Sequence, residues 1–80
     1  MLKLVIYKKK ACIYLVGGTG KPICTLPKNS TYTYILGRLS FILSSKFWDT
    51  YSGMYNKGKL YKVNTKEETA DIIEKLIKEN

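Results

Sequence analysis

The densest run of residues that could do chemistry is Gly17-Gly18-Thr19-Gly20-Lys21. Consecutive backbone N–H groups followed by a lysine are what a phosphate-cradling loop uses. That pattern also needs a glycine five residues before the Gly-Lys pair and a Ser or Thr after the lysine, and those positions hold Leu15 and Pro22. The residues after Lys21 read as a strand rather than a helix, so the run is assigned to a hairpin turn, where glycine supplies positive φ angles.

Cys12 and Cys24 are too far apart for a Cys-x-x-Cys redox pair, and a chain without histidine cannot complete a zinc tetrad with them. If the glycine hairpin closes with Val16 opposite Gly20, the two thiols face each other across the ladder. The simpler reading is two small buried or half-buried thiols. General acid–base work is poorly provided for: Glu67, Glu68, Asp71, Glu74 and Glu79 share one C-terminal helix whose polar face should be solvated. Asp49 stands alone in a basic region and reads as a helix-end residue paired with a lysine in preference to a base of raised pKa. Ser44, Ser45 and Thr50 have no histidine to activate them. The chain is therefore expected to be non-enzymatic, without cofactor or metal, and a small hydrolase or nuclease using Asp49 is only the third reading.

Binding is better supported, because the charge is lopsided. Residues 1–62 hold eleven Lys and Arg against the single acid Asp49, whereas residues 63–80 hold three Lys against five acids, within a net charge of +8. A polyanion or an acidic surface is the partner such a field favours. From Lys46 to Lys62 lysines and aromatics interleave, pairing phosphate-neutralising cations with rings on which bases can stack. The candidate nucleic-acid contacts are Lys8, Lys9 and Lys10 at a hairpin tip, Arg38, Lys57, Lys59 and Lys62 for phosphate, and Tyr51, Tyr55 and Tyr61 for stacking. No aromatic RNA-recognition signature, zinc finger or basic zipper accompanies them, so neither DNA nor RNA is singled out.

These residues must be positioned by one small α+β domain covering 1–80. Leu2 to Tyr7, Ala11 to Val16 and Pro22 to Leu26 predict a three-stranded meander in which Leu2, Leu4, Ile6, Ala11, Ile13 and Leu15 share one face. Lys3, Val5, Tyr7, Cys12, Tyr14 and Val16 share the other, which should be semi-exposed. Helical spacing of apolar residues predicts one helix over about 31 to 48. Asn56-Lys57-Gly58 predicts a hairpin turn between a short strand at Tyr51 to Tyr55 and a strand at Lys59 to Val63. Thr65 to Glu68 matches a capping box that opens an amphipathic closing helix. The order β-β-β-α-β-α predicts an antiparallel sheet with two helices on one face.

The first helix carries a second stripe, Tyr34, Phe41 and Trp48, with Gly37 and Ser44 beside it. A core helix needs one apolar face, so this stripe is covered either by the closing helix at residues 66 to 79 or by another molecule, which makes it the candidate interface of a homodimer. The leading expectation is a small basic protein of the viral or mobile-element accessory type, binding nucleic acid or a nucleoprotein complex as a homodimer. The alternative is an inhibitor of a host enzyme or defence complex that docks on an acidic protein surface through the same stripe. Without a signal peptide or an apolar run of membrane-spanning length, a cytoplasmic setting and no membrane partner are expected.

Overall fold

The computed structural model describes residues 1–50 and 53–80, so Tyr51, named above for stacking and as the start of a strand, lies outside the described residues. Five strands form one sheet: β1 (Leu2–Ile6), β2 (Lys10–Leu15), β3 (Cys24–Pro27), β4 (Met54–Asn56) and β5 (Lys59–Tyr61). Their spatial order is β3-β2-β1-β4-β5. Among the described residues three helices accompany the sheet: α1 (Tyr32–Ile42), α2 (Ser45–Thr50) and α3 (Lys66–Glu79).

The α+β class stands, but the element order is β-β-β-α-α-β-β-α in place of β-β-β-α-β-α, and the sheet is mixed rather than antiparallel, because β1 pairs with β4 in parallel, Leu2 opposite Met54 and Leu4 opposite Asn56. The reason is the connection. After β3 the chain crosses the sheet once as α1 and α2 and returns near the end from which β3 set out, so the next strand runs in the direction of β3 and β1. Asn56 reinforces this seam from its buried position, donating from Nδ2 to the Leu4 carbonyl at 3.2 Å. Gly53 opens β4 where a Cβ would lie 2.8 Å from the Leu60 side chain, so only glycine fits beneath Leu60 without displacing it.

Burial follows the period of two. Leu2, Leu4, Ala11, Ile13, Cys24, Leu26 and Met54 point to one side and join Ile35, Leu39, Ala70, Ile73 and Ile77 in a continuous core. α1 and α3 therefore cover one face of the sheet and leave the other open. The cap half of the predicted box forms, Thr65 Oγ1 accepting from the Glu68 N–H at 3.1 Å, while the return bond is displaced by one residue, Glu68 Oε2 accepting from the Asn64 N–H at 3.3 Å. The first turn of α1 holds no acid, and its Tyr32 N–H donates instead to the Glu74 carboxylate of α3. One helix thus caps the other.

The helix predicted over 31 to 48 is broken. Leu43 is extended, at φ −120° and ψ 127°, and α2 starts afresh at Ser45. The break turns Leu43, Phe47 and Trp48 inward against the core, with the Phe47 and Trp48 rings edge to face at 5.3 Å between centroids. Burying three large side chains outweighs the helical hydrogen bonds forgone at the break, which water or local turns can replace.

Candidate functional site

Strand directions decide where the lysines gather. β1 and β4 run in parallel, so the turn after β1, carrying Lys8 and Lys9, and the turn after β4, carrying Lys57, lie at the same end of the sheet. β3 finishes there too: Lys10 pairs with Pro27, and the Lys28 N–H donates to the Lys9 carbonyl at 3.1 Å. Lys59 stands opposite Asn56 on the same edge. Lys8, Lys9, Lys10, Lys57 and Lys59, expected as phosphate contacts, are thus brought to one end, and Lys28 joins them.

Two other cations are placed elsewhere. Arg38 sits on α1 beside Cys24, whose thiol burial pushes above its ordinary value while the guanidinium draws it down. Its guanidinium carbon is also 5.9 Å from the centroid of the Phe41 ring. Lys62 follows β5 at the far end of the sheet, since Tyr61 pairs with Met54 and Met54 with Leu2.

The open face adds rings to this cationic end. Registers place Tyr14, Lys3, Tyr55 and Leu60 side by side on β2, β1, β4 and β5. Tyr55 is 36% exposed and Tyr7, just past β1, is 48% exposed. Lys10 stands 5.9 Å from the centroid of the Tyr7 ring. Tyr14 lies between Tyr7 and Cys12; hydrogen bonding with the Tyr7 phenol is the chief reason its hydroxyl titrates above the ordinary value. Lys3, Val5, Tyr7 and Tyr14, with the glycine turn at Gly17, Gly18 and Gly20, line a groove of about 480 Å³ on this face. The glycine run acts as part of a turn, with φ +83° at Gly17 and +86° at Gly20, and forms the rim of the groove.

Tyr61 departs from its expected stacking role. It lies on the helix-covered side, half-buried against the core, with Lys59 5.0 Å from its ring centroid. The two cysteines are buried, as the simpler reading has it, and the conditional placing of one thiol opposite the other is not met. The hairpin closes one residue out of the register assumed, Ile13 opposite Cys24 and Cys12 opposite Thr25, so the thiols point to opposite faces and both are free. Cys12 is only 3% exposed although it sits on the open face, and its Sγ lies 3.8 Å from Thr25 Oγ1.

The helix stripe survives in part. Tyr34 and Phe41 are exposed, Phe41 at 83%, with Gly37 between them. Trp48 leaves the stripe for the core, and Ser44 is exposed at the break. Asp49 is exposed on α2 and borders a second cavity of about 420 Å³ shared with Ser40, Trp48, Lys66 and Glu67. Among the described residues no group of three His, Cys, Asp or Glu could hold a metal ion, and no helix is long and apolar enough to cross a membrane.

Lys3, Tyr7, Tyr14 and Lys28 were not singled out from the sequence as contacts. The signal for the first three was the strand alternation that placed them on the second face. Lys28 had no such signal, because its neighbour Lys9 is set by the β2–β3 register. No family model matches the chain, and comparison with curated proteins and with solved structures finds no match.

Proposed function

We propose that this chain binds nucleic acid through the open face of its sheet and the adjoining lysine-rich end. One observation carries the reading: charge is segregated by layer. All six acids lie on helices, Asp49 on α2 and the other five on α3, whereas the open face and the hairpin end carry Lys3, Lys8, Lys9, Lys10, Lys28, Lys57 and Lys59, of which Lys57 reaches back to the Asn80 side chain at the end of α3, 2.9 Å away. Ion pairs between Lys75 and Asp71 and between Lys78 and Glu74 occupy two lysines of α3. A face of lysines without a carboxylate repels a cationic partner and releases counterions when it meets phosphates. Electrophoretic shift or anisotropy with mixed DNA and RNA at rising salt tests the proposal. Binding should weaken steeply with salt and fall on Lys8→Ala with Lys9→Ala; absence of binding at low salt would rule it out.

A second reading concerns α1. Phe41 is the most exposed large apolar side chain of the described residues and shares its face with Tyr34. Homodimerisation there leaves the sheet face free, so it is compatible with the first reading. A monomeric mass at high concentration removes it.

A further inference from the structure

We infer that the form of nucleic acid this face accepts is an unpaired strand, its bases lying on the tyrosines and its phosphates drawn to Lys3 and the hairpin lysines. This rests on the nucleic-acid reading above and specifies its ligand. The geometry is the row Tyr14, Lys3, Tyr55. Neighbouring strands are about 4.8 Å apart, so the two rings stand about 10 Å apart with an ammonium group between them. Tyr7 lies beyond Val5 along β1, and the groove beneath it is of a size that accepts a small planar group with its sugar.

A duplex cannot use these features. Its base faces are occupied by stacking, and reading its edges needs an element that enters a groove, usually a helix or a two-stranded ribbon. The open sheet face is broad, and α1, the exposed helix, offers the single cation Arg38, which is already engaged with Cys24 and Phe41. Rings on an open face gain their value from bases that are free to leave their partners.

The competing occupant is a second copy, since sheet faces do stack on one another. Charge argues against it. The open face carries Lys3 and Lys10 and, among the described residues, no acid, so sheet-on-sheet association would bury lysine against lysine between two chains of net charge +8. A polyanion satisfies the same lysines.

The test is fluorescence anisotropy of the whole chain with short labelled oligo(dT), oligo(U) and a duplex of mixed sequence at low salt. Single strands should bind roughly tenfold more tightly than the duplex. Tyr55→Ala should weaken single-strand binding by about tenfold and leave duplex binding nearly unchanged, while Tyr55→Phe, which keeps the ring, should restore it. Tyr55 is chosen because it is exposed and lies outside the core, so the fold should persist, as circular dichroism can verify. Lys8→Ala with Lys9→Ala should weaken both forms alike. Equal or tighter duplex binding overturns the single-strand inference while the nucleic-acid reading stands; no binding to any probe overturns both. A dimer that Tyr55→Ala dissociates would assign the face to a second copy and overturn the inference as well.

Discussion

Lys57 occupies a left-handed conformation, φ +52°, beside Gly58 at φ +78°, in the turn between β4 and β5. Asparagine or glycine adopts this conformation at less cost than lysine. Lys57→Asn gives up the exposed hydrogen bond from Lys57 Nζ to Asn80 Oδ1, 2.9 Å long, but relieves the backbone, so it should raise stability by a net few tenths of a kcal/mol in urea denaturation while lowering affinity for single strands. A variant that gains stability and keeps full affinity would show that the lysine takes no part in binding. Cys24 supplies a pH signature. Burial holds its thiol above the ordinary value of 9.0, so the native state keeps this proton more tightly than the unfolded chain does. That contribution is complete below the unfolded value and is lost as pH rises through the native one, so stability should fall above about pH 9. Cys24→Ala should flatten part of that slope, measured as denaturation midpoints from neutral to alkaline pH; an unchanged slope contradicts the assignment. At this scale the sequence is legible where alternation alone decides, as for Lys3 and Tyr14. It fails where one register step decides, as for the two cysteines, because such a step depends on how an eight-residue loop from Val16 to Ile23 closes.

The closing helix was the most legible element, because its cap, first-turn acids and apolar stripe agree. Thr65→Ala should cost about 1 kcal/mol, read from the urea midpoint. The start of α1 adds to its own cap, Thr31 Oγ1 accepting from the Tyr34 N–H at 3.4 Å, a bond from α3, through the Glu74 carboxylate at the Tyr32 N–H. Glu74→Ala should cost about 1.5 to 3 kcal/mol, and Glu74→Gln less, since the amide oxygen can still accept. Equal losses would indicate that charge, not the hydrogen bond, is what matters there. Neither the α1–α2 break nor the parallel β4 could be read locally. Apolar spacing through Phe47 satisfies a single helix equally well, and the decision comes from core space that opens only when Leu43, Phe47 and Trp48 turn in together.

Across the molecule, eleven of fourteen cations precede residue 63 and the fold collects seven of them around one face and one end. The expected skew of charge was visible in composition, but its separation by layer was not, since that needed the strand directions. If about five phosphates are neutralised, the logarithm of single-strand affinity should fall with the logarithm of salt at a slope near −3.5. A slope near zero would mean that charge plays no part. The parallel seam has a kinetic consequence. β1 meets β2 across a few residues but meets β4 only at a sequence separation of 52, Leu2 to Met54. Loop-closure entropy makes that seam a late event in folding. An oligonucleotide laid from Tyr14 to Tyr55 crosses it like a suture, so binding should slow unfolding and raise the melting temperature with ligand concentration.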